Sequence, residues 1–161
     1  MSVTGWRVWK LQDGNGPLLK SMYRPPVWPT DRPMAADCLA YGPHVYYQTG
    51  EPTAPKHPAP DEDCLCGIHA WRQPDLVDMA PWMRHSDGWR EDADRLVLGR
   101  VKLWGRMVAH EKAWRAGMAS VVALIGGHPH VGVGVDVGRV ARRYGVPVVS
   151  WEDSAAWREA V

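Results

Sequence analysis

The chain has 161 residues, enough for one domain with a sizeable core, and hydrophobic residues make up 45% of it without an apolar run long enough to span a bilayer. Its 19 Lys and Arg against 18 Asp and Glu leave a net charge of +1, which excludes a global pull toward nucleic acid or membrane and leaves room only for a local basic face. The 3 cysteines cannot close a disulfide set, and the opening residues Met1–Trp6 lack a basic region followed by an apolar stretch, so the expectation is a soluble cytoplasmic protein whose cysteines are metal ligands or free thiols.

In chain order, Trp6–Leu11 reads as a strand, Asp13-Gly14-Asn15-Gly16 supplies the positive φ of a hairpin turn, and Leu18–Tyr23 is the returning strand. Pro25, Pro26 and Pro29 then break regular structure, and a short strand over Met34–Ala40 ends around Cys38. Residues 42–63, with Pro43, Pro52, Pro55, Pro58 and Pro60, read as a loop long enough to need a reason for order. Gln73–Met83 is predicted as a short helix with proline in its first turn, and Ser86–Asp94 as loop.

Leu96–Trp104 is the clearest strand, with Val97, Gly99, Val101 and Leu103 on a face that should meet the core and Leu96, Leu98, Arg100, Lys102 and Trp104 on the other. Gly105 permits a bend, after which Arg106–His110 fits strand or helix equally. Ser120–Ile125 is a buried strand by its apolar, β-branched run, and the glycines of residues 126–134 make a loop. Asp136 caps a helix to Tyr144 that Gly145 ends, Val146–Val149 is a short strand, and Trp151–Ala160 a closing helix. The sum is a single α+β domain over residues 1–161: a largely antiparallel β-sheet, a few short helices, and a clipped loop region at 38–70. With 10 Trp, 5 Tyr and 0 Phe, tryptophan takes the place of phenylalanine in the core, many of the rings being half-buried with a wet N–H edge and some free to form a binding surface.

Cys38, His57, Cys64 and Cys66 carry the chemistry. Zinc takes four such ligands in a tetrahedron, and two thiolates one residue apart reach one metal when the chain turns sharply, which Gly67 allows. Bound there, zinc would replace hydrophobic burial as the organiser of residues 38–70, and a site closed by four side chains is structural. His69 and His44 are alternatives for the fourth ligand, and three reduced cysteines packed as small apolar residues are the competing explanation.

The string from His57 through Cys64-Leu65-Cys66-Gly67-Ile68, followed by Leu103-Trp104-Gly105, His110-Glu111 and Arg115-Ala116, resembles a group of actinobacterial and actinophage proteins without an established activity. The likeness spans residues 6–150 and implies the four zinc ligands, a phage or host cytoplasmic setting, and no particular reaction. His69 stands where that group carries tyrosine, which implies that it is not the ligand, and Ala113-Trp114 replaces Gly-Tyr.

Other patterns are weaker. His110-Glu111 opens a metalloprotease-like H-E pair, but Trp114 stands where the second histidine belongs. No H-x-E with P-C-x-x-C, no complete dinucleotide fingerprint and no hydrolytic triad occurs; His128-Pro129-His130 reads as a solvated loop. His110, Glu111, Arg115 and Trp104 are the candidates to line a pocket if the chain is an enzyme. Arg100, Lys102 and Arg106, in a basic band with Trp104 and Trp114, are the candidates to contact single-stranded nucleic acid. The expectation is a non-enzymatic, zinc-stabilised interaction module with a protein partner, nucleic-acid binding and enzymatic readings being the alternatives.

Overall fold

A computed structural model describes residues 1–12, 16–22, 27–38, 57–74 and 95–155. Its elements are β1 (Ser2–Gln12), β2 (Leu18–Lys20), β3 (Met34–Ala35), β4 (Ile68–Trp71), β5 (Leu96–Ala109), β6 (Ala113–Gly126), α1 (Val137–Tyr144) and β7 (Val148–Ser150). All of these strands belong to one sheet.

β5 is the spine. It pairs with β1 from Lys10↔Leu96 to Ser2↔Trp104 and with β6 from Gly99↔Leu124 to Ala109↔Trp114, both antiparallel. β4 lies antiparallel to β6 through Ile68↔Ala116 to Trp71↔Ala113 and meets β1 at Trp6↔Trp71. The pairing therefore runs from β1 through β5, β6 and β4 back to β1, and the sheet curls into a ring. Close approach inside that ring demands small residues: a Cβ on Gly5 would lie 2.7 Å from Ala70 Cβ, and one on Gly99 2.5 Å from the Ala123 carbonyl oxygen.

Two irregularities allow long strands to curl. One separates Arg100 from Val101, and the other lies between Trp104 and Met107, where Gly105 (φ +81°) and Arg106 oppose Gly117. Gly105 therefore marks a bulge within a strand that continues to Ala109. β6 begins at Ala113, earlier than the predicted Ser120, because backbone pairing with β4 and β5 carries the Ala- and Gly-rich stretch that side-chain propensity does not.

The inner face packs Trp9, Leu19, Trp28, Val97, Val101, Leu103, Ala116, Ala119 and Leu124 against Val140, Ala141 and Tyr144 of α1. A second cluster on the outer face gathers Trp6, Val8, Leu96, Leu98, Ile125 and Val131, with Trp151 against it. Both faces of β5's first half are thus covered. Trp6, Trp9 and Trp28 are core residues at 0%, 0% and 2% exposure, in keeping with tryptophan standing in for phenylalanine as the core aromatic.

The fold is mostly antiparallel sheet, and α1 is the one helix among the described residues. Asp136 caps it by accepting from the Arg139 amide at 2.9 Å, and Gly145 ends it in the left-handed region (φ 63°), as the sequence indicates. β7 follows α1 and runs parallel to β6, Leu124↔Val148 to Gly126↔Ser150, the crossover connection a helix permits. β2 and β3 are shorter than their predicted strands. Of the helix expected over Gln73–Met83 only Gln73 and Pro74 are described, as bend and turn; of that over Trp151–Ala160, residues 151–154 are turns, Ala155 is helical, and the rest lie outside the described residues, as do Ser86–Asp94. Among the described residues no helix is long and apolar enough to cross a membrane.

Candidate metal centre

β3 and β4 attach to the same edge of β6, β3 at Met118–Ala119 and β4 at Ala113–Ala116. Cys38 follows β3, whose path along β6 is extended by the Ala36 amide donating to the Gly117 carbonyl at 2.8 Å. Cys64 and Cys66 immediately precede β4. The ligands distant in sequence are thus delivered to one place by two strands sharing one neighbour.

Cys38, His57, Cys64 and Cys66 converge there, their ligand atoms all within 4.8 Å of one another. Cys38 Sγ lies 3.2 Å from His57 Nε2 and 3.9 Å from Cys64 Sγ. A tetrahedron with metal–sulfur bonds of about 2.3 Å has S···S edges of about 3.8 Å and slightly shorter S···N edges, so the set is spaced to hold a metal ion. His57 Nδ1 sits 3.2 Å from the Pro58 carbonyl, to which it donates, leaving Nε2 its lone pair for a metal.

The loop between the ligands is built to approach the sheet closely. Gly67 (φ +114°) has Pro60 and Arg115 on either side, a Cβ there lying 2.9 Å from Pro60 Cβ. Gly117, on β6, leaves room for the Ala59 carbonyl, 2.9 Å from where a Cβ would be. Asp61 orders the turn by accepting from the Asp63 amide at 3.1 Å, and its carbonyl accepts from the Cys64 amide at 3.3 Å.

Cys38 and Cys66 are each 1% exposed and Cys64 is partly buried. Burial pushes the Cys66 thiol up to about 11, a backbone hydrogen bond at Asp61 draws it down, and the adjacent Cys64 and Cys38 push it up again. Those causes favour the neutral Cys66 thiol while no cation is beside it; a metal cation would reverse that balance, because a coordinating thiol is deprotonated.

Arg115 is the residue whose place the sequence conceals. Predicted to line a pocket, it is 3% exposed and lies under the metal loop. Its Nη1 donates to the carbonyls of Asp61 (3.1 Å), Cys66 (3.1 Å) and Cys64, while its Nε donates to His110 Nε2 at 2.9 Å. His110 and Glu111 occupy the turn between β5 and β6, closed by the His110 amide on the Ala113 carbonyl at 2.9 Å. His110 and Arg115 do meet, through that hydrogen bond, and Trp104 lies beyond the bulge. A cavity of 180 Å³ lies elsewhere, among Leu11, Gly16, Pro17, Asp136 and Arg139.

The basic band is similarly redistributed. Arg100 stacks over Trp6, 4.8 Å from the ring centroid, and donates to Thr4 Oγ1 at 2.6 Å. Arg106 faces the Asp61 carboxylate at 3.6 Å, and Lys102 is exposed. Trp114 carries Arg72 over its ring at 3.8 Å.

Of the alternative fourth ligands, His69 stands outside the cluster and donates from Nε2 to the Leu65 carbonyl at 3.1 Å; His44 lies outside the described residues. Leu65, between two ligands, is 64% exposed, and Trp71, further along β4 on the same side as His69, is 37% exposed. Comparison with protein-family models, curated proteins and solved structures finds no match to this chain. What the chain does is therefore read from its geometry alone.

Proposed function

We propose that Cys38, His57, Cys64 and Cys66 hold one structural zinc ion and that the chain serves as a zinc-stabilised, non-enzymatic interaction module with a protein partner. The convergence of three cysteines and one histidine at tetrahedral spacing carries the reading. Thiolate and imidazole donors suit zinc above the harder cations, and four protein ligands leave no position for a reacting water. Leu65 supports the interaction role: zinc would fix the loop on both sides of it and hold an apolar side chain out in solvent, beside His69 and Trp71.

Elemental analysis of untagged protein should give about one zinc per chain, and Cys64→Ser should reduce it to a small fraction of that. Fully folded, metal-free wild-type protein would sink the reading. Nucleic-acid binding through Arg100, Lys102 and Arg106 is the second reading, and the contacts that Arg100 and Arg106 make within the chain weigh against it. Replacing all three with alanine is expected to leave retention on single-stranded DNA resin unchanged; a collapse of retention would favour the nucleic-acid role.

A further inference from the structure

Resting on the zinc reading, we infer that Arg115 is the outer-shell cation of the metal centre, a positioning residue that aims the ligand loop and balances its charge. Two independent observations meet on it. The first is geometric. One guanidinium nitrogen reaches the carbonyls of both loop cysteines and of Asp61, so a single rigid fork fixes the backbone from which two of the four ligands project.

The second is electrostatic. A buried cation is costly unless it is paired and hydrogen-bonded, and among the described residues no carboxylate pairs with Arg115. Zinc with three thiolates and a neutral imidazole leaves one net negative charge on the site. Arg115 and the loaded site therefore neutralise each other. In the unloaded chain the partners of the guanidinium among the described residues are dipoles, namely the three carbonyls and the His110 ring nitrogen. His110 completes the arrangement by holding Nε from the turn between β5 and β6.

The same positive charge restrains the thiolates. A zinc-bound sulfur near a fixed cation is a weaker nucleophile toward an electrophile, since its negative charge is already stabilised. Removing the charge while keeping the side chain's bulk should loosen the metal and expose that reactivity, two effects a purely space-filling residue would not link.

The experiment compares wild-type protein with Arg115→Gln, Arg115→Lys and His110→Ala. Zinc affinity is measured by competition with a chromophoric chelator, and the rate at which iodoacetamide alkylates the zinc-loaded protein is followed by mass. Arg115→Gln should weaken zinc binding by about 10–100-fold, the range found for outer-shell partners of metal ligands, and alkylate faster than wild type. Arg115→Lys, which keeps the charge without the fork, should bind zinc better than the Gln variant and alkylate at close to the wild-type rate. Wild-type zinc affinity and alkylation rate in Arg115→Gln would overturn the inference, as would a Lys variant no better than Gln by either measure. Should Arg115→Gln fail to fold, His110→Ala decides: weakened zinc binding supports the inference, and unchanged affinity overturns it. A wild-type protein that binds no zinc would defeat the zinc reading itself, an outcome distinct from these.

Discussion

Tyr144 reaches from α1 to the first strands with its hydroxyl, which donates to the Trp28 carbonyl and accepts from the Leu19 amide, both at 2.9 Å. Tyr144→Phe leaves both backbone groups buried without that partner and should cost about 1–3 kcal/mol in denaturant unfolding. Burial also lifts the hydroxyl above the usual tyrosine value of 10. The unfolded chain then ionises Tyr144 more readily than the folded one. Its contribution is complete below about pH 10 and is lost as pH rises through the folded value. The wild-type midpoint should therefore fall more steeply than that of Tyr144→Phe in thermal melts above about pH 10; parallel curves would contradict it. At this scale the sequence was informative where chemistry is local: the C-x-C-G run announces a tight turn that brings two cysteines into one cluster, and Asp136 announces a cap. Arg115 was hidden for a physical reason. Arginine in isolation belongs at a surface, and only the pairing of β4 with β6 brings three carbonyls over it.

Among the elements, β5 was legible because its alternation over Val97–Leu103 obeys the two-residue period of a strand. Its burial on both sides was less so, since Leu96 and Leu98 find their cover in Val131 and Trp151, far along the chain. β4 has only four residues, Ile68–Trp71, too short for a period to register. The first half of β6 mixes Trp114, Arg115 and Met118 with alanines and Gly117, whose propensities argue against a strand while their small size is what the crowded ring requires. Gly5 makes that point testable. Gly5→Ala places a methyl 2.7 Å from Ala70 Cβ and 3.0 Å from the Trp71 carbonyl oxygen, both on β4. The substitution should destabilise the protein by about 1–3 kcal/mol, the range for overpacking. Chemical denaturation measures it, and a neutral result would mean that β1 and β4 separate easily.

For the whole molecule, the ring of β1, β5, β6 and β4 has unequal joins. β1 and β5 pair over most of their length, whereas β1 and β4 meet at Trp6↔Trp71 alone. Chelation of the proposed zinc should therefore raise amide exchange first in residues 57–71 and leave β5 protected; uniform loss of protection would instead make the metal a condition of the entire fold. Thermal stability should rise with free zinc, by about 4 kcal/mol at a thousandfold excess over Kd. Largely antiparallel pairing was foreseeable from the alternating strands, but closure into a ring was not, because it depends on one cross-strand contact between residues remote in sequence.

Because β3 and β4 dock on one edge of β6, their junction has a temporal meaning as well as a spatial one. Apart from the local β1–β2 and β5–β6 hairpins, the sheet's pairings join distant parts of the chain, and each of these must be reached by a slow search against loop-closure entropy. Metal capture by Cys38 and the Cys64–Cys66 turn would shorten that search, presenting β6 with two strands already held at their proper separation. Refolding in the presence of zinc should accordingly outpace refolding under chelator, as followed by tryptophan fluorescence after rapid dilution from denaturant. Equal rates would place metal capture after assembly of the sheet.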